Sequence, residues 1–422
     1  MGEALRSVES IKCQNGLMPA DMRAIGIVHD GQSRIDDYRI MDAAIGAGIE
    51  LRAFVAEELV LPADKLAIRG LLGDIGALLM RQQSGRTRYL FTRIAEAVGY
   101  RAINASGIQA YSRDKFLTYL AMNRSNVPSP VASLPLYTHQ ILRGNTPGIR
   151  RALLKGLVDS AKAMVGVMPC VEKPIDGTHG RGVRILQTED EILGSIERRD
   201  PMDLTMLQPF YDSPWEIRAV SVKHPGAGPE HLASIAKCAT ERGQAIRNLA
   251  VMGVPVLIGM HRLVEALERA ALGVLAPLPG DYAITGNDWT PKGAADRDEE
   301  EKICALARKL LPKFQRLRAS RERLNGAYRR LYRANSPERV HAGLDEEERA
   351  HEGVALEYMR SGEHEEIRSM ITNRLDHSPE LLLLDVNDNQ DFPNVRDLTG
   401  RHVEDDYVKL ALAVSAMDPA KG

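Results

Sequence analysis

The segment CVEKPIDGTHGRGVRIL, from Cys170 to Leu186, constrains this chain more than any other. Gly177, Gly180 and Gly182 allow backbone conformations and close approaches that a Cβ forbids, and successive amides in such a loop form an anion-binding concavity. Its flanks, CVEKP and VRIL, are short apolar runs of strand type. A P-loop or a dinucleotide-binding turn needs a helix directly after its glycines, so neither applies. The segment reads as a flap between two strands, and Lys173, just before it, can set an ammonium on a phosphate oxygen. A glycine-rich hairpin with a surface lysine fits the same spacing.

The remaining pattern is mixed α/β and α+β. RAIGIVHD, a polar stretch with Ile40, Ala43, Ala44 and Ile45, and IELRAFV predict strand, helix, strand. A strand near 77–80, a helix over 89–97 and a strand near 101–104 complete an α/β unit over 20–108. SRDKFLTYLAMNRSNVPSP predicts a helix with Ser112 as N-cap, Phe116, Leu117, Leu120 and Met122 as its apolar face, and a stop at Pro128. It opens a second unit over 109–168. CVEKP, VRIL, MLQPF, IRAVSV and ASIAKC, separated by Gly, Pro and Asp, predict an antiparallel sheet with a helix over Glu189 to Arg198. That third unit spans 169–258 and resumes over 376–416, where LLLLDVN reads as a buried strand and DYVKLALAV as a closing helix. Between them, 259–375 reads as a separate, charged helical insertion.

Composition narrows the function classes. The 422 residues call for two or three packed units, and 44% hydrophobic with 27% charged residues is the balance of a globular chain. With 55 Lys plus Arg against 57 Asp plus Glu, the molecule has no bulk attraction to nucleic acid or to an anionic membrane. Cys13, Cys170, Cys238 and Cys304 form no Cys-x-x-Cys pair, which fits a reducing compartment. MGEALRSVESIKC lacks the apolar core of a signal peptide, and no apolar run reaches membrane-spanning length, so a cytoplasmic protein is expected.

Two further constellations carry chemistry. In LLLLDVNDNQDF, alternation along a strand sets Asp385 and Asn387 side by side as hard oxygen ligands suited to magnesium, with Asp388 and Asn389 following. A turn rich in Asp and Asn is the other reading. In LQPFYDSPWEIRAVSV, Glu216 and Arg218 share one face of a strand, an arrangement that a surface ion pair also explains.

In order, AINASGIQAYSRDKFLTYL with VPSP, VEKPIDGTHGRGVRIL, LQPFYDSPWEIRAVSV and LDVNDNQDF resemble the ATP-grasp family. Within it they are similar to the RimK-type ligases, which attach glutamate or related amino acids to a carboxyl group. The resemblance runs from about Arg23 to Val256 and resumes around Pro379 to Val414. It implies that Lys115 and Lys173 contact nucleotide phosphates under a loop containing Gly177, Thr178, Gly180 and Gly182. Gln208 and Phe210 would belong to the hinge beside adenine, Glu216 would face the sugar, and Arg218 would stabilise the transferred phosphoryl group. Arg247 and Asn248 would orient substrate. Asp385 and Asn387, with Asp376 as the nearest further acid and Asp281 and Asp288 as competitors, would hold Mg²⁺, with Mn²⁺ as the alternative ion. The implied activity is ATP-dependent formation of an amide or peptide bond through an acyl phosphate, on an amino acid and a small-molecule, peptide or protein carboxyl. Pro209 and Ile246 depart from the family, where an acid and an arginine are usual. They motivate a second reading, a nucleotide-binding scaffold that acts through protein or RNA contacts of the insertion. A homo-oligomer is compatible with either.

Within the insertion a basic block from Lys309 precedes an acidic block from Leu344, which predicts two antiparallel helices with opposed charges rather than a nucleic-acid site. Leu310, Leu311, Phe314, Leu317, Leu324, Tyr328 and Leu331 form the apolar stripe. His341, His351, His364 and His377 lack the spacing of a zinc motif and read as solvated helix residues.

Overall fold

The computed structural model describes residues 9–11, 24–31, 34–132, 146–166, 168–176, 182–198, 204–243, 253–293, 296–333, 337–377, 379–388 and 393–417. Strand β1 (Glu9–Ile11) runs antiparallel along the edge of a sheet whose other members are parallel. These are β2 (Ala24–His29), β3 (Leu51–Val55), β4 (Ile75–Met80) and β5 (Ala102–Ile103), in the order β1-β3-β2-β4-β5. Helices α1 (Ile35–Gly46), α2 (Lys65–Leu72) and α3 (Gly85–Ala97) make the crossovers, the last two capped by Asp64 and Ser84. Burial on both faces explains why β4, and β2 up to His29 at its end, are apolar instead of alternating.

Next come α4 (Ser106–Arg113) and α5 (Lys115–Arg124). Asp114, not Ser112, caps α5, accepting the Leu117 N–H at 2.9 Å. Met122 is buried as expected, but Leu117 and Leu120 are exposed, and α5 buries Lys115, Thr118 and Tyr119 beside Met122. An apolar count misjudged this helix because the side it turns inward carries Lys115 and Thr118 as well as Tyr119 and Met122. Helix α6 (Pro147–Val165), β6 (Cys170–Pro174), β7 (Arg184–Leu186), α7 (Glu189–Arg198) and β8 (Thr205–Pro209) build a small antiparallel sheet, β7-β6-β8. Leu154, Val158, Ile192 and Ile196 of its helices pack on Cys170, Leu186 and Leu207.

The large antiparallel sheet has the order β11-β10-β9-β12-β13. Its strands are β9 (Trp215–Lys223), β10 (Pro229–Ala239), β11 (Gly253–Leu257), β12 (Ala283–Pro291) and β13 (Leu381–Asn387), with α8 (Arg262–Leu275) packed against β9, β10 and β12. Strand β12 lies inside the stretch read as helical. AITGNDWTP is buried at every position, so it shows no alternation to betray it.

Helices α9 (Arg297–Arg333), α10 (Pro337–Met359) and α11 (Gly362–Asp376) form the rest of the insertion, before β13, α12 (Pro393–Thr399) and α13 (Val403–Ser415). The insertion is not a separate block. Leu310, Phe314, Leu317, Leu324 and Tyr328 belong to the same core as Ile25 of β2 and Ile217 of β9. Arg39 of α1 donates to both carboxylate oxygens of Glu348 of α10, at 3.3 and 3.1 Å. The opposed charges pair within the chain, as in Arg316 with Glu357 at 2.9 Å and Lys313 with Glu363 at 2.6 Å. His351 and His364 are buried, not solvated: His351 Nε2 lies 3.0 Å from Asp397, and His364 Nε2 accepts the Leu257 N–H at 3.1 Å. His377 is exposed, and the side chain of His341 lies outside the described residues. Among the described residues no helix is long and apolar enough to cross a membrane.

Candidate active site

Residues paired across a β-sheet share a face, and the register of the large sheet aligns Arg218 on β9, Asp288 on β12 and Asp385 on β13 in one row. Lys237 on β10 stands opposite Glu216 on β9 in the next row. Arg218 donates through Nε and Nη2 to the two oxygens of Asp288 at 2.9 and 2.8 Å, a bidentate pair. Lys237 Nζ is 3.0 Å from Asp288 and also pairs with Glu216. Burial disfavours charge on Asp288 and on Arg218. The cations nevertheless hold the Asp288 carboxyl well below the usual carboxylate range, and Asp288 holds the Arg218 guanidinium above its ordinary value.

On β13 the register passes from Asp288 opposite Asp385 to Trp289 opposite Leu383, so Leu384 is bulged out of the ladder. Its freed carbonyl accepts from the small sheet's side. Lys173 Nζ lies 3.2 Å from it, and the Tyr119 hydroxyl 2.8 Å. Lys173 also donates to the Tyr119 hydroxyl at 2.6 Å, and that hydroxyl lies 3.0 Å from Gln208 Oε1. Burial pushes the Lys173 ammonium down to about 7, opposed by Asp385 and reinforced by Lys115. Lys115, in the first turn of α5, places Nζ 3.6 Å from Asp385 Oδ1, while its backbone N–H donates to the Ile175 carbonyl just beyond β6. Two lysines from different elements thus meet the adjacent residues Leu384 and Asp385 of β13.

Asn387 donates its amide to the Gly286 carbonyl at 3.1 Å, which leaves Oδ1 as its acceptor beside Asp288 and Asp385. Among the described residues no three His, Cys, Asp or Glu side chains converge as a metal cluster. The set here is two carboxylates and an amide, hard oxygen donors of the kind that Mg²⁺ takes together with water and phosphate. Asp376 is elsewhere. It ends α11 before β13 begins, largely exposed, 3.1 Å from His261 Nε2. Asp281 accepts the Leu278 N–H in a turn. Of the competing acids, Asp288 is the one brought next to Asp385.

Asp388 is not a solvent-facing turn residue. Arg88 of α3 grips it at 3.0 and 2.7 Å, and the Ser112 hydroxyl donates to it at 2.6 Å. Gly182 has φ of +75°, and a Cβ there would lie 2.8 Å from Pro174 Cγ, so the loop's exit demands glycine. The Phe210 N–H donates to the Pro169 carbonyl at 3.2 Å. Gly177, Thr178, Gly180, Arg247, Asn248 and Asn389 lie outside the described residues. Sequence reasoning missed Lys237 and Tyr119. The available signals were a lone lysine inside the apolar run ASIAKC and the i, i+4 spacing that puts Tyr119 under Lys115.

No family model matches the chain. It is 27% identical over 194 residues to the "Probable alpha-L-glutamate ligase" of Shewanella halifaxensis, a match covering 44% of this chain and 37% of that protein. The chain thus spans little more than a third of that relative's length. Among solved structures, the ATP-grasp ligase PsnB complexed with minimal precursor aligns over 93% of this chain and 100% of its own, with a TM-score of 0.50 and 11% identity. A RimK domain ATP-grasp protein from Sphaerobacter thermophilus aligns over 64% of this chain and 87% of its own, with a TM-score of 0.45 and 15% identity. A likeness that runs nearly the whole length of the chain, through a small and a large antiparallel sheet facing each other across Lys173 and Leu384, makes this an ATP-grasp fold.

Proposed function

We propose that the chain is an ATP-dependent carboxylate-amine ligase of RimK-like type, adding an amino acid such as glutamate to a small-molecule, peptide or protein carboxyl. One observation carries the reading. Lys115 pairs with Asp385, Lys173 reaches the carbonyl of the adjacent Leu384, and Arg218, Lys237, Asp288 and Asn387 crowd the sheet around them. The partial likeness to a glutamate ligase supports the choice of amino acid.

In this reading Lys115 and Lys173 bind phosphate oxygens, the 177–182 loop covers them, and the backbone of 207–210 lines the adenine. Glu216, held by Lys237, meets the sugar. Arg218 neutralises charge on the phosphoryl group in flight, and Arg247 and Asn248 orient substrate. Asp288, Asp385 and Asn387 would hold Mg²⁺, which when bound neutralises charge on the phosphates. Asp288 replaces Asp376 in that set. A substrate carboxylate oxygen attacks the γ-phosphorus and ADP leaves. The amine then attacks the acyl carbon, loses a proton and expels phosphate. Preorganised cations suit such chemistry, because phosphoryl transfer asks for positioning and charge stabilisation more than covalent help.

Hydroxylamine supplied in place of the amine, with ATP, Mg²⁺ and a panel of amino acids and acidic peptides, should trap a hydroxamate and release ADP and phosphate. Release of AMP and pyrophosphate would mean adenylation and end this reading.

A further inference from the structure

Glu268 is a fully buried carboxyl on α8 with no part in the scheme above. Helix α8 covers the face of the large sheet opposite the site, where a lone carboxyl must find donors or stay costly. Glu268 has three. Ser221 Oγ and Asn287 Nδ2 donate to Oε2 at 2.6 and 3.0 Å, and Trp289 Nε1 donates to Oε1 at 2.5 Å. Asn287 and Trp289 are the two neighbours of Asp288. Alternation along β12 sends them to the helix side and Asp288 to the site side. Ser221 stands three residues beyond Arg218 on β9. The ladder is broken at this point, because the Leu384 bulge interrupts pairing between Asp288 and Trp289 on the β13 side.

We infer that Glu268 is a positioning residue for the site: from beneath the sheet it clamps the side chains either side of Asp288, and so fixes where Asp288 sits relative to Arg218, Asp385 and Asn387. The inference rests on the reading of Asp288, Asp385 and Asn387 as the Mg²⁺-holding set.

Calorimetric titration of a non-hydrolysable ATP analogue into the full chain, with and without Mg²⁺, measures how far the ion strengthens nucleotide binding. Glu268→Gln keeps the shape but turns an N–H₂ toward a donor. It should leave Mg²⁺-free binding within about threefold of wild type and cut the Mg²⁺-dependent strengthening about tenfold or more, as loss of a partner behind a ligand does. Asn287→Ala severs the same link from the strand side and should act in the same direction. Leu272→Ala removes buried packing from α8 without touching the clamp, and should keep the full Mg²⁺ response. An undiminished response in either folded clamp variant overturns the inference. An equal loss in Leu272→Ala also overturns it, because general loosening would then explain the effect. If wild type binds the analogue with no Mg²⁺ response, the functional reading fails and the inference falls with it, a result distinguished by the wild-type titration alone.

Discussion

Lys173 sits between the Tyr119 hydroxyl and a bulged backbone carbonyl, buried on β6, where its charge is disfavoured until an anion arrives. A triphosphate would supply that anion. Lys173→Ala should therefore weaken ATP binding about 10- to 100-fold, the worth of a charge-assisted hydrogen bond, with the circular dichroism spectrum unchanged. Tyr119→Phe keeps the ring under the ammonium but removes the oxygen that holds it, and a smaller loss of about 3- to 10-fold is expected. Calorimetry checks both, and wild-type affinity in Lys173→Ala would remove Lys173 from the phosphate site. At this scale the short patterns around Lys173, Arg218, Asp385 and Asn387 left a hairpin lysine, a surface ion pair and an Asp-rich turn open, and their proposed roles come from the order in which those patterns follow one another. Asp288 was only one acid among several, since its partners Arg218 and Asp385 are 70 and 97 residues away in sequence, the differences between the numbers 288, 218 and 385.

At the scale of elements, the insertion tests whether charge or burial holds a helix in place. Arg316 and Glu357 pair with side chains 63% and 58% exposed, so Arg316→Ala should change stability by about 0–1 kcal/mol. Leu324 is buried in the shared core, and Leu324→Asp should cost on the order of 3 kcal/mol or more in urea unfolding. Equal effects would mean that α9 is held by its charges. Helix α11 offers a pH test. Burial pushes His364 down to about 4 from its ordinary 6.5, and its Nε2 already accepts the Leu257 N–H. Between those two values the unfolded chain binds the proton and the folded chain does not, so stability is full above about 6.5 and falls as the pH drops toward 4. Glutamine can keep the acceptor without titrating. Wild type should lose on the order of 2 kcal/mol more than His364→Gln between pH 7 and pH 4.5, and equal losses would refute a neutral buried His364.

Across the whole molecule, the N-terminal sheet and the site are joined by buried polar links. Arg88 grips Asp388, next to Asn387, and Asn104 donates at 2.7 Å to the carbonyls of both Ile284 and Asp388. Asp388→Ala would strand the Arg88 charge and should cost about 3–5 kcal/mol in urea unfolding. A loss below about 1 kcal/mol would show that the link is solvated. Asp385→Asn, on a partly exposed side chain, should by contrast spare the fold and lose the Mg²⁺ response. The amino-acid sequence, which grouped in one sheet five strands that the structure divides between two, by itself determined the alternation of strand and helix in the first unit, the strand character of CVEKP, VRIL and MLQPF, the strand that ends in Asp385 and Asn387, and the apolar stripe of α9. Each of these rests on a local pattern of apolar residues. Only the tertiary structure decided that AITGNDWTP is the strand between β9 and β13, that α5 turns Lys115 and Tyr119 inward, that His351 and His364 are buried, and that Asp388 belongs to Arg88. A strand buried on both faces has no period to read, and an ion pair between residues 300 positions apart exists only once the chain has closed around it.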